Sequence, residues 1–135
     1  IEAQGMTIFE FITLASLLEK EAKFDEDRPI IAAVFRQRLK TGMPLESCAS
    51  IQYILGYPKP LITIEDTKLE SPYNTYLHKG LPPGPIANPG IKSMEAVLYA
   101  PDTDYLFFVA DKEGHHHFTK TYEEHLKIVD QIYEN

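Results

Sequence analysis

The chain has 135 residues, the length of one ordinary domain, and its 44% hydrophobic and 24% charged residues make a composition that folds rather than one that stays disordered. Thirteen Lys and Arg against 20 Asp and Glu leave a net charge of −7, so no basic surplus exists to hold a nucleic-acid backbone or an anionic membrane surface. Cys48 is the single cysteine, which excludes an internal disulfide framework and a cysteine-built zinc ribbon.

The chain opens on Ile1 without a recognisable signal segment, and it reads as a fragment of something longer. The longest apolar stretch, Ile8 to Leu18, is interrupted by Glu10 and is too short to span a bilayer. Thr7 to Lys23 is expected to be a helix, because Phe11, Leu14, Ala15, Leu18 and Ala22 recur at helical spacing. A second helix is expected from Pro29 to Lys40, with Pro29 at its first turn and Gly42 as its C-terminal cap. A third, short helix starts near Ser47 or Ser50 and stops at Gly56, and Thr63 caps another that ends near Leu69.

Between Pro72 and Gly90 fall five of the ten prolines and three of the seven glycines, which excludes a regular ladder there and predicts a long loop. Ordered loops of that length are often functional. Ile91 to Tyr99 reads as a helix ended by Pro101. Tyr105 to Val109 and His115 to Thr119 read as two strands of a hairpin about the Asp111–Gly114 turn. Thr121 with Glu124 is a capping-box signal for a last helix, Tyr122 to Tyr133. The sum is α+β, one mostly helical domain over residues 1–135 with a small antiparallel hairpin and a long Pro/Gly loop.

Four places carry candidate chemistry. Leu14, Leu17, Leu18 and Glu21 share one side of the first helix, so Glu21 sits at the border of an apolar stripe. Desolvation there raises a carboxyl's pKa, which is what a general acid needs near neutral pH. Glu19 lies about 160° away around the helix and is expected on the surface. His115, His116 and His117 resemble metal ligands, but strand alternation sends His116 to the opposite face from its neighbours, so a role as one hydrogen-bonding histidine is expected in place of a metal site. Ser71 to Tyr76 interleaves tyrosine rings with amide and hydroxyl groups, a mixture suited to sugars and equally to a loop that plugs its own domain. Cys48 reads as small filler rather than as a nucleophile.

Taken together, these segments resemble one family. Leu14 to Glu21 (LASLLEKE) is similar to the LASIVEKE signature of the MltG (YceG-like) endolytic murein transglycosylases. Arg28-Pro29, Val34 to Leu39 and Gly42 to Leu45 resemble the family's next block, and Ser71 to Tyr76 and Gly80 to Gly90 its two most distinctive segments. Tyr105 to Asp111, Gly114 and His116 to Phe118 resemble its last. The order is kept from about Thr13 to the C-terminus. The chain departs from many relatives at Glu46-Ser47-Cys48-Ala49, where they carry Gln-Thr-Asp-Pro, and at Gln37, where they carry Asn.

The resemblance implies a catalytic domain that cleaves MurNAc–GlcNAc bonds inside nascent peptidoglycan strands, leaves 1,6-anhydro-MurNAc ends and limits strand length. It implies Glu21 as the catalytic acid, with Tyr73, Asn74 and His116 at the substrate cleft; Thr75 and Tyr76 of the same loop are expected there by their sugar-binding groups, and Glu46, where the chain departs from the family, is expected as an added charge near the cleft. No metal and no cofactor are expected. The implied partners are glycan strands and the cell-wall synthases. The implied location is the outer side of the cell membrane, reached through an N-terminal helix outside this chain. A noncatalytic glycan-binding or synthase-docking domain and a metal hydrolase built on the histidines remain as alternatives.

Overall fold

In the computed structural model, which describes residues 5–57, 59 and 61–133, the chain folds as five helices and one hairpin. Helix α1 is Ile8–Glu21, α2 is Arg28–Thr41, α3 is Cys48–Leu55 and α4 is Ile91–Leu98. Strands β1 (Phe107–Ala110) and β2 (His116–Thr119) pair antiparallel, with Phe108 opposite Phe118 and Ala110 opposite His116, and α5 is Tyr122–Tyr133. The α+β class is therefore the observed one. No described helix is long and apolar enough to cross a membrane.

The ends of the helices explain their lengths. Thr7 caps α1 through a reciprocal pair of bonds with Glu10. At the other end Ala22 is already extended, so α1 stops at Glu21 and not at Lys23. Gly42 and Gly56 end α2 and α3 in the left-handed conformation. The helix expected after Thr63 shrinks to one 3-10 turn, Asp66–Lys68, although Thr63 and Asp66 satisfy each other's backbone N–H groups as at a helix start. Strand β1 starts at Phe107, two residues later than its apolar pattern suggested, because the Tyr105 N–H turns to the Thr103 hydroxyl. No helix or strand interrupts 72–90.

The core lies where α1 meets α2 and α4. Phe11, Leu14, Leu17 and Leu18 of α1 bury against Ile31 and Phe35 of α2, Val97 of α4 and Leu45. Burying side chains of this size stabilises the fold by roughly 1.5–3 kcal/mol each. Glu19 corrects the expectation of a surface residue. Its Oε1 accepts from the Gly90 N–H (2.8 Å) and the Ser93 hydroxyl (3.0 Å), so it is half-buried and caps the start of α4. The bonds hold its carboxyl below the ordinary value, the Gly90 N–H contributing most.

The hairpin is tied to the end of α1. The Lys23 ammonium donates to the Glu113 carbonyl (3.0 Å), and the turn closes on the Asp111 carboxylate, which accepts from the N–H groups of Glu113 and His115. Gly114 turns with φ 99°, and a side chain there would run into Lys23. Gly114→Ala is expected to destabilise the protein by about 1–3 kcal/mol, since strain and the clash add. Urea unfolding of the two proteins measures it, and equal midpoints would mean the hairpin is not docked as described.

Candidate active site

The end of α1 delivers Glu21 to the start of α3. Ser47, the N-cap of α3, donates its hydroxyl to Glu21 Oε2 at 2.8 Å, and the Ala49 backbone N–H bonds to the same carboxylate. Two effects compete there. Hydrogen bonds favour the anion, while desolvation and the C-terminal position on α1 favour the neutral acid. Burial is the larger effect, so the Glu21 carboxyl is held above its ordinary value.

Ser47 is itself fixed from the Pro/Gly loop. Its N–H donates to Thr75 Oγ1 (2.8 Å), which lies 2.9 Å from the Ser50 hydroxyl, and the Glu46 N–H donates to the Thr75 carbonyl (3.1 Å). Asn74 is fully buried: its amide donates to the Thr67 and Leu69 carbonyls and its Oδ1 accepts from the Tyr76 N–H. The side chains of Asn74 and Thr75 therefore do not face a ligand, contrary to the reading of the loop as a row of sugar contacts. They hold the loop and Ser47 in place beneath the site, because a buried amide or hydroxyl must find partners within the fold.

Ser47→Ala tests this support. It removes a bond to the carboxylate, so the Glu21 carboxyl moves further up, by about one pH unit or less for one hydrogen bond. A carbon NMR titration of that carboxyl reads the shift; an unchanged or lowered midpoint would remove Ser47 from the site.

Two cavities meet at Glu21. The first, about 370 Å³, runs from Glu21 past Arg38, Glu46, Tyr76 and His116 to the hairpin and α5. The second, about 750 Å³, runs the other way along α3, past Tyr53, Tyr57, Ile86 and Lys20. Glu21 and Cys48 line both. Tyr53 rests on Tyr73 with ring centres 4.9 Å apart, so Tyr73 backs the aromatic wall of the second cavity and does not line it.

The remaining expected residues fall in the first cavity. Glu46 is exposed, with a left-handed backbone (φ 51°) that turns its side chain outward between the buried Leu45 and Ser47. Tyr76 Oη lies 3.1 Å from Cys48 Sγ, and burial, with the neighbouring charges, pushes both groups upward. A raised pKa favours the thiol of Cys48 over the thiolate, the form a nucleophile needs. The His116 side chain is buried, with Nδ1 3.4 Å from Asp27 Oδ2 and its backbone N–H bonded to the same oxygen. Burial outweighs Asp27 and pushes its pKa down, so the imidazole is neutral. His115 stacks on Phe24 and His117 meets Asp111, so the three histidines diverge instead of converging on one point.

Arg38 was missed by sequence reasoning, although it stands three and four residues after the apolar Phe35 and Val34. It is 4% exposed, donates to the Leu45 and Leu106 carbonyls, and carries its charge beside Glu46 and Glu21. A cation on the buried stripe of a helix was the available signal. Ser47, read only as a helix start, carried no signal of its second partner.

Fold and site together define an α+β domain organised about one desolvated carboxylic acid at the junction of two cavities. The sequence model of the YceG-like family matches residues 1–131, and the chain belongs to that family. It is 46% identical over 122 residues to an endolytic murein transglycosylase of Bacillus subtilis (strain 168), and 39% identical over 131 residues to one of Streptococcus pneumoniae (strain D39). These matches cover 90% and 93% of this chain, but it spans only 34% and 24% of those relatives. A crystal structure of a YceG-like protein from Listeria monocytogenes superposes with a TM-score of 0.89 at 47% identity, covering 94% of this chain and 42% of that one.

Proposed function

We propose that the chain is the catalytic part of an endolytic murein transglycosylase, with Glu21 as both acid and base. The observation that carries the reading is the placement of a raised-pKa carboxyl at the junction of two open cavities. A strand cut in its interior needs room on both sides of the reacting bond, and the two cavities supply it. Tyr53 and Tyr57 offer ring faces on one side, and Arg38, Glu46 and Tyr76 offer polar groups on the other.

The reaction needs one carboxyl. Protonated Glu21 gives its proton to the glycosidic oxygen as the C1–O bond of MurNAc breaks, and the C6 hydroxyl of the same sugar forms the new bond to C1. Its proton returns to the Glu21 carboxylate, so no water is consumed and the acid is regenerated. A hydrolase of the usual kind needs a second carboxylate, as nucleophile or base. Glu46 and Glu21 are the two carboxylates on the first cavity, and Glu46 is the exposed one, unlike a held nucleophile.

The names of the relatives support murein as the substrate. With that substrate, the domain works outside the cytoplasmic membrane, beside the synthases whose strands it shortens, and is held there by a membrane helix. Digestion of purified peptidoglycan followed by mass spectrometry of the new ends tests the reaction. The expected ends are anhydro-MurNAc, lighter by one water than reducing ends. Reducing ends would replace the transglycosylase reading with a hydrolase, and binding without any cleavage would favour a noncatalytic glycan module.

A further inference from the structure

His125 stands on α5, a helix with no buried residue among those described, and it lines the cavity it shares with Glu21. Stacking holds its ring, 5.4 Å from Phe107 and 6.2 Å from Tyr122 between centres. Among the described residues Nδ1 is buried without a hydrogen-bond partner, and no hydrogen bond engages Nε2.

A ring needed only for packing would be better as phenylalanine, because a buried polar atom without a partner is a net cost. The polarity of His125 is therefore left for whatever enters the cavity, and Nε2 is the nitrogen available to it. Burial, then the Arg38 charge, push its pKa down against the opposing pull of Glu46, so the imidazole is neutral. A neutral imidazole donates or accepts at Nε2 according to tautomer, which suits an uncharged hydroxyl or amide. A cavity of about 370 Å³ is the size for one substituted sugar ring.

The geometry points to His125 as a substrate-contacting residue that hydrogen-bonds, through Nε2, a hydroxyl or N-acetyl group of the pyranose beside Glu21. This rests on the glycan-strand reading above and assigns α5 to the site as its outer wall.

The test measures binding of soluble glycan strands by the full chain in a Glu21→Gln background, so that nothing is cleaved. Adding His125→Phe keeps the stacked ring and removes both nitrogens. The expected result is a Kd about tenfold weaker, the worth of one hydrogen bond, together with a raised Tm because the unpaired nitrogen is gone. His125→Gln, whose amide reaches the Nε2 position, is expected to restore most of the affinity. A Kd unmoved by His125→Phe would overturn the proposal while leaving the glycan reading intact. A fall in Tm alongside a weaker Kd would overturn it too, since the ring would then be a structural prop. If Glu21→Gln alone bound no strands, the glycan reading and this proposal would fall together, before the second substitution is made.

Discussion

Glu21→Gln is expected to reduce cleavage of peptidoglycan strands to background. General acid–base catalysis contributes about 10²–10⁴-fold, and in the proposed reaction one group serves in both directions, so the loss lies at the upper end or beyond. The amide keeps the shape of the side chain and can still meet Ser47, so the fold and the two cavities remain, and strands still bind. The same substitution is expected to raise stability at neutral pH. Glu21 has a folded pKa above the ordinary 4.5, so the unfolded chain ionises first as pH rises. The protein therefore loses stability between 4.5 and the raised value, and the loss stays in place above it. A neutral amide has no such loss. The gain in Tm of Glu21→Gln over the parent should thus be present at pH 7 and shrink toward zero below 4.5. Two measurements check this: mass spectrometry of strand ends, and melting curves at pH 4 and 7. Residual cleavage within tenfold of the parent would remove Glu21 as the acid. A gain in Tm that grew on acidification would mean that its carboxyl is not desolvated.

Phe35→Ala is expected to cost about 3–5 kcal/mol, a large share of the 5–15 kcal/mol that holds a typical domain together. Phe35 is fully buried in α2, and its ring meets Phe108 edge to face, with centres 5.7 Å apart at 76°. Phe108 in turn lines the first cavity. The substitution therefore leaves a void beneath the hairpin as well as within the helical core. Denaturant unfolding should show the midpoint fall, and the residual cleavage at low temperature should fall with it, because β1 carries part of the cavity wall. A loss below about 1.5 kcal/mol would mean that the hairpin moves down to fill the void and is less firmly placed than described.

The sequence made the local features legible. Gly42 and Gly56 as helix stops, Thr121 with Glu124 as a helix start and the hairpin about Asp111 all depend on residues within four positions of one another. Glu21 was legible because its neighbours on the helix face set its environment. Contacts between distant segments were not. Glu19 looked like a surface residue because its partners, Gly90 and Ser93, lie more than 70 positions away. Arg38 finds Leu106 68 positions away, and Ser47 finds Thr75 28 positions away. Asn74 and Thr75 looked like ligand contacts for the same reason: the residue types that bind a sugar also satisfy a buried loop, and only the fold distinguishes the two uses.

Glu19 and Glu21, two positions apart on α1, take up protons in an enforced order. Acidification from neutrality first neutralises Glu21, which relieves its desolvation and strengthens the fold. Below the ordinary value of 4.5 it reaches Glu19, whose charge caps α4, and there the fold loosens. For this pair, stability peaks at mildly acidic pH, where Glu21 carries its proton and the tie between α1 and α4 is still charged. The protonation state of greatest stability for this pair is therefore also the one in which Glu21 holds the proton that the proposed reaction donates.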